Sequence, residues 1–256
     1  MKKIILIILL YFISISIFAQ SIPSQDKLMN WIGVGISKKI GNKISIEYYH
    51  TYSFEINNKL QPNFIQSSVK LQYKISDLSV YLGTKPTFIL TNSSQSVVHR
   101  LISGIKYKFR FSKKIRSKVS LNFEHYFTQK SKFKQRYFFR FDIYYRNPKW
   151  PLKLRPFLNQ KIYYYSGGRP LQYYDDLGDK TENVPPNGYH AYRWRGGLKI
   201  YPTKKMSISI YMEQQREFNL NILGNNDINS LNPNSGKIRR GFHNYSTIGI
   251  STYLNL

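Results

Sequence analysis

The chain has 256 residues, Lys+Arg 39 against Asp+Glu 13 for a formal net charge of +26, no cysteine, and 22 Tyr beside 16 Phe. Without cysteine there is no disulfide framework, no thiolate metal site and no lipoprotein attachment point, so stability must come from the sheet itself. So basic a balance asks for an anionic partner, and only the placement of the charges separates nucleic acid, anionic lipid and anionic solute. No linker, composition break or solenoid-length repeat divides the chain, so one domain is expected. Abundant aromatics with scarce Ala and Glu favour an all-β class.

Residues 1–19 read as a secretory signal: Lys2 and Lys3, the apolar run Ile4 to Phe18, and Ala19 before the cut. The run is about 15 residues, shorter than the ~20 of a spanning helix, and Ser14 and Ser16 weaken it further. No later segment approaches ~18 uninterrupted apolar residues, so an exported chain meets no helical stop. From Trp31 to Leu256 apolar and polar residues alternate in runs of about 7 to 15, each ended by a turn; in a strand such alternation separates two faces.

In the first run Ile32, Val34 and Ile36 alternate with Gly33, Gly35 and Ser37, and the basic turn Lys38 to Lys43 returns it. The second sets Ile44, Ile46, Tyr48, His50, Tyr52 and Phe54 against Ser45, Glu47, Tyr49, Thr51 and Ser53. The third sets Ile65, Val69, Leu71, Tyr73 and Ile75 against Gln66, Ser68, Lys70, Gln72 and Lys74, turning at Ser76-Asp77 into Leu78, Val80 and Leu82. The most polarised run opposes Leu101, Ile105, Tyr107, Phe109 and Phe111 to Arg100, Lys106, Lys108 and Arg110; its partner opposes Val119, Leu121, Phe123 and Phe127 to Ser120, Asn122, Glu124 and Tyr126. Next, Tyr137, Phe139, Phe141, Ile143 and Tyr145 face away from Arg136, Phe138, Arg140, Asp142 and Arg146, and Leu152, Leu154, Leu158 and Ile162 from Lys153, Arg155, Asn159 and Lys161. Tyr192, Trp194, Leu198 and Ile200 oppose Arg193, Arg195 and Lys199, and Met206, Ile208, Ile210 and Met212 oppose Ser207, Ser209, Tyr211 and Glu213. Ile248, Ile250, Thr252, Leu254 and Leu256 close the chain, with Leu256 where outer-membrane barrels commonly carry a terminal aromatic.

The apolar faces so assigned hold no Lys, Asp or Glu; their basic residues are His50, His99, His125 and Arg216, mostly near strand ends. A Lys or Arg facing lipid at mid-depth costs roughly 2 to 4 kcal/mol, so this sorting predicts an apolar face that meets hydrocarbon. An open edge there would leave backbone N–H and C=O groups unpaired, so the sheet must close. The prediction is an all-β, closed antiparallel up-and-down transmembrane β-barrel over residues 20–256, of about twelve strands, with ten as the alternative. Eleven runs are counted, antiparallel closure needs an even number, and Ser21 to Asn30 would supply an irregular twelfth. The turns after residues 37, 75, 111, 146 and 201 are short and belong on the periplasmic side, with the C-terminus. The longer connections at 55–63, 89–96, 166–188 and 219–242 belong outside.

The polar parity carries Lys70, Lys74, Arg100, Lys106, Lys108, Arg110, Arg136, Arg140, Arg155, Lys161, Arg193, Arg195 and Lys199, a candidate anion path, since pores that favour anions are lined with Arg and Lys. Glu47, Glu124, Asp142, Glu213 and Glu217 share that parity and are read as counter-charges, or, in the alternative, as the carboxylate pairs that glycoside hydrolysis needs. Lumen cations balanced by acids, water and packed Tyr would instead make a plugged interior.

No cofactor is expected, since no Gly-rich phosphate loop follows a strand. No metal site is expected either: the histidines are scattered, and Asp175, Asp176, Asp179 and Glu182 lack calcium-loop spacing. None of the five histidines shows the His-x-Ser spacing of barrel-borne lipid acyl hydrolases, so no catalytic residue is assigned, although a triad could assemble in space. Export and charge sorted onto an enclosed face argue against nucleic acid.

Trp31-Ile32-Gly33-Val34-Gly35 with Ser37-Lys38-Lys39, the Arg155-Pro156-Phe157 strand, the Arg193-Trp194-Arg195-Gly196-Gly197-Leu198 strand and the Lys-rich short turns resemble a family of exported outer-membrane β-barrels, numbered two-four-nine-zero among families of unknown function. The resemblance implies fold and location and brings no activity or site residue with it. In size and basic, aromatic interior the chain is also similar to the small oligogalacturonate- and sialic-acid-type porins. The sequence thus points to a bacterial outer-membrane barrel forming a narrow anion-preferring pore for small acidic solutes. Its partners would be outer-membrane lipid, lipopolysaccharide, the barrel-assembly machinery and small anionic solutes. A non-conducting structural or adhesive barrel is the alternative, and a barrel-borne lipid hydrolase a further one.

Overall fold

The computed structural model describes residues 27–56, 60–91, 94–127, 133–175, 177–220, 226–238 and 240–256. The signal segment at 1–19 and residues 20–26 lie outside the described residues. The strands are β1 (Lys27–Ile40), β2 (Ile44–Ile56), β3 (Leu60–Ile75), β4 (Leu78–Thr84), β5 (Thr87–Thr91), β6 (Ser94–Val98), β7 (Arg100–Arg110), β8 (Ile115–Tyr126), β9 (Gln135–Tyr145), β10 (Arg155–Ser166), β11 (Leu171–Tyr174), β12 (Lys180–Val184), β13 (Gly188–Ile200), β14 (Met206–Glu217), β15 (Leu231–Asn232), β16 (Lys237–Ile238) and β17 (Tyr245–Asn255).

Among the described residues, eleven of these close one barrel, in the order β2-β1-β17-β14-β13-β10-β9-β8-β7-β4-β3, with β3 pairing back onto β2. All junctions are antiparallel except β1–β17, which is parallel, Lys27 lying opposite Tyr245 and Ser37 opposite Asn255. The barrel is therefore all-β and closed, as the alternation predicts, but with eleven strands where about twelve were expected and with one parallel seam. Lys27 to Asn30 belong to β1 and not to a separate strand. An odd count places Lys27 and Asn255 at opposite rims, Lys27 with the long loops and Asn255 with the short turns. Part of the expected 89–96 loop is the β5–β6 hairpin, which prolongs the wall along β3, and the two longest loops carry the small hairpins β11–β12 and β15–β16.

The two parities of each strand meet different surroundings. Tyr81 on β4 donates to Asn122 on β8 at 2.6 Å, and Lys85, just past β4, reaches Glu124 on β8 at 3.9 Å. Trp31 on β1 meets Phe64 on β3 edge-on at 5.7 Å and lies under Arg195 of β13. None of these strands are neighbours, so such contacts form only on the concave side, and that parity holds the Arg and Lys. The opposite parity leaves large apolar side chains uncovered: Ile32, Leu71, Leu82, Ile105, Leu121, Ile210 and Met212 are 48% to 63% exposed. It also carries Lys38, because β1 runs on to Ile40 past the expected turn, and Gln160 and Gln214; Trp194 donates to Gln214 at 3.1 Å. Phe141 and Gln160, outward cross-strand partners in register with Val119 and Trp194, are nevertheless buried.

Large inward rings fit so narrow a wall by lying against glycine. Tyr253 and Tyr49 flank Gly35 in register, Tyr211 faces Gly249 and Gly197, and Tyr81 faces Gly104. A Cβ on Gly249 would sit 2.3 Å from Cζ of Tyr211, so glycine here is room for an aromatic ring across the ladder.

Two outcomes follow. Since the chain lacks cysteine, Ile32→Cys with Ile250→Cys should cross-link on oxidation across the parallel seam, while Leu82→Cys with Ile250→Cys should not; an uncross-linked first pair removes the eleven-strand closure. Gly249→Ala should lower the unfolding free energy of the refolded barrel in urea by about 1 to 3 kcal/mol through overpacking, with no loss if Tyr211 simply swings away.

Candidate functional site

The interior of the barrel is the candidate site, and its charge is organised around three buried carboxylates. Glu124 on β8 accepts from Arg136 at 2.5 Å, Arg100 at 3.4 Å and Tyr126 at 3.2 Å, with Lys85 beside it. Asp142 on β9 accepts from Nε and Nη2 of Arg140, the latter at 2.7 Å, from Lys118 at 3.0 Å, and from Asn159. Glu213 on β14 accepts from Nε and Nη2 of Arg195, both at 2.7 Å, with Arg193 at 3.5 Å and Tyr245 at 3.3 Å. A carboxylate so removed from water is tolerable only with paired, hydrogen-bonded cations around it.

These groups bring more positive charge than three acids can answer, and tyrosine faces take up part of the surplus. Arg136 lies 4.9 Å and Arg193 5.2 Å from the Tyr163 ring centroid, and Arg195 lies 4.1 Å from that of Tyr211. A guanidinium over such a face is worth about 0.5 to 2 kcal/mol, most when desolvated. Lys161 lies over Phe138 at 6.0 Å.

Towards the loop rim this layer runs into a dry aromatic cluster. Tyr163, Tyr165, Ala191 and Ile228 are buried together, packed on Phe133, Phe138 and Phe242, with Phe133 stacked on Tyr165 at 4.0 Å. Ile228 comes from the long loop after β14, and that loop is tied to the one after β10. Tyr173 donates to the carbonyl of Asp227 at 2.8 Å, and Asn226 N–H to that of Asn187 at 3.2 Å. Burial, with the Asp227 charge nearby, pushes the Tyr173 phenol up to about 12. Among the described residues, aromatic cluster and tied loops thus pack together on the loop side of the interior.

The turn rim is different. Lys74, Lys108 and Arg110 are exposed there, and Arg155 stacks on Tyr201 at 4.2 Å and donates to its hydroxyl at 3.3 Å. Glu47 faces Lys70 at 3.4 Å, both about one-third exposed, and Lys106 donates to Gln72 at 2.6 Å. Glu217 lies at the opposite rim, accepting from His243 N–H at 2.7 Å. All thirteen predicted basic positions lie on the inward parity but divide into two groups. Arg100, Arg136, Arg140, Arg193 and Arg195 engage the three carboxylates, Arg140 itself staying partly exposed, with Lys161 in register beside it; Lys70, Lys74, Lys106, Lys108, Arg110, Arg155 and Lys199 lie nearer the turns. Lys85, Arg116 and Lys118 also face inward and were missed. The signal was the parity itself, since β8 begins four residues before Val119 and the wall continues one residue past β4.

On the outward face, Nδ1 of His50 lies 2.8 Å from Oγ of its register partner Ser67, a His–Ser pair across strands where the sequence was searched only along one. Tyr48 hydroxyl contacts the same nitrogen at 3.2 Å, and Ser67 N–H is held by the Pro86 carbonyl at 3.1 Å, so that amide is not free to serve as an oxyanion donor. Among the described residues no group of three His, Asp or Glu is placed to hold a metal. Comparisons with protein-family models, with curated proteins and with solved structures find no match.

Asp142→Asn should be the most damaging single change inside, stranding Arg140 and Lys118, at a cost of about 3 to 5 kcal/mol in equilibrium unfolding. Glu47→Gln, at a solvated pair, should cost less than about 1 kcal/mol. Equal effects would mean that water reaches Asp142.

Proposed function

We propose that this chain is an exported protein of the bacterial outer membrane, allied to the barrel family numbered two-four-nine-zero. Its short turns would face the periplasm, its long loops the outside, and its partners would be outer-membrane lipid, lipopolysaccharide and the assembly machinery. One observation carries this reading: a closed sheet with its large apolar side chains uncovered outside and most of its strand charges inside, the reverse of a water-soluble domain. Aromatic residues near both ends of the outward face support it, Tyr73 and Tyr107 toward the turns, Tyr52, Tyr137 and Tyr189 toward the loops.

Within that membrane we infer a non-enzymatic barrel that is closed at rest in its loop-side half and open to small anions from the turn side. Tyr163, Tyr165 and Glu213 are at most 2% exposed, which no water-filled channel would leave them. A narrow anion-preferring pore for small acidic solutes is the second reading, favoured by inward cations outnumbering the acids that face them. Planar-bilayer recording separates the two. The wild-type barrel should show no unitary steps, and Arg136→Ala with Tyr163→Ala should open anion-selective ones. Anion-selective steps in the wild type, reduced by Arg140→Ala, would establish the pore; fatty-acid release abolished by Ser67→Ala would establish a lipid hydrolase instead.

A further inference from the structure

At the turn rim the wall sets like charges directly across from one another. Arg110 is in register with Arg116 and Lys108 with Lys118 between β7 and β8, and Arg155 with Lys199 between β10 and β13. Like charges directly opposed on a ladder destabilise the sheet. Lys118 is answered by Asp142, but none of the other five makes an ion pair among the described residues. Among the strongest electrostatic influences on Arg116 are the guanidiniums of Arg110, Arg146 and Arg155, opposed by the Tyr201 phenol, and on Lys199 the cations Lys118 and Arg155, opposed by Glu47. Nε of Arg116 and Nε of Arg155 have no hydrogen-bond partner, and Arg155 is held in place by its stack on Tyr201. Two opposed cationic pairs, from strands separated only by β9, therefore converge on one side of the mouth, positioned and unanswered.

We propose that Arg110, Arg116, Arg155 and Lys199, beside Tyr201, form a binding site for a compact oligophosphate-type anion entering from the turn side. Planar guanidinium forks match the oxygens of a phosphoryl group bidentately, and an ammonium adds a point charge. A ligand with several charges in a small volume answers four cations at once, which a monocarboxylate cannot. The site deepens the anion-accepting reading above and needs neither conduction nor a particular membrane. The phosphate could belong to a soluble oligophosphate or to a lipid headgroup reaching the rim.

The test uses the full barrel folded in neutral detergent and titrated calorimetrically with inorganic tripolyphosphate. Saturable binding to one site is expected, with a higher unfolding temperature in the complex. Arg116→Gln with Arg155→Gln should weaken binding by about tenfold or more, whereas Lys149→Gln with Lys204→Gln, which removes two exposed charges in neighbouring turns, should change it by less than about twofold. Arg116→Gln alone should raise the unfolding temperature without ligand, because it relieves repulsion, and shrink the ligand-induced rise. Should the double variant not refold, Arg116→Lys keeps the charge, removes the fork and should still weaken binding severalfold. Unsaturable binding, equal losses in both double variants, or a lower temperature for unliganded Arg116→Gln overturns the site. Repeating the titration in phosphatidylcholine and phosphatidylglycerol vesicles identifies the source: equal affinity means a soluble anion, and competition in phosphatidylglycerol means the headgroup. Because binding is first read in detergent, it fails or holds independently of bilayer conductance.

Discussion

A closed strand wall forces every second side chain into a space that cannot grow, and here the side chains sent inward are largely cationic. Everything else in the interior answers that constraint. Glu124, Asp142 and Glu213 are each nearly excluded from solvent, yet each is surrounded by two or three cations, so the carboxylates are outnumbered within their own layer. Desolvated Arg without counter-charge would be untenable, and the quadrupoles of Tyr126, Tyr163, Tyr211 and Tyr245 supply part of the missing negative potential. The high tyrosine count is thus partly an electrostatic requirement of the interior.

The same rings set the shape of the wall. Tyr49, Tyr81, Tyr211 and Tyr253 each lie over a glycine across the ladder, so the backbone under them carries no Cβ and the rings do not meet in the middle. Gly35 and Gly249 line the parallel seam, where the barrel must close with an odd number of strands. Closure there pairs the backbone along the seam, at slightly lower stability per residue than an antiparallel pair, and leaves no edge open.

Much of this was legible in the residues. Alternation assigned inward and outward parity correctly for runs such as Ile44 to Phe54 and Arg100 to Arg110, because a period of two leaves no third option. Eleven runs are also countable in the residues, and an even number is required only where closure is antiparallel throughout, which the β1–β17 seam is not. Lys85, Arg116 and Lys118 are not legible because strand ends carry no strong apolar marker, and the wall continues past Leu82 and before Val119. What alternation could not contain is which inward residues meet. The Trp31–Arg195 and Lys85–Glu124 contacts, and the His50–Ser67 pair outside, depend on register and curvature, to which the one-dimensional pattern is blind.

The interior is consequently polar in the electrical sense along its axis. Toward the loops, cations are bound by Glu124 and Glu213, covered by the Tyr163–Tyr165 cluster and capped by two interlocked loops. Toward the turns, Lys74, Lys108 and Arg110 remain open to solvent, with Glu47 and Asp142 set deeper in the wall and already engaged. Low-dielectric walls focus such a field out of the uncovered mouth and weaken it at the covered one, since opposite charges a few ångströms apart cancel at distance. On the proposed reading, a small anion would be drawn in from the turn side as far as the layer where the carboxylates have already claimed the guanidiniums. Entry and passage are thus separate problems in this barrel, governed by different residues. Charge alone sets the first, whereas the second depends on whether the packed rings can move.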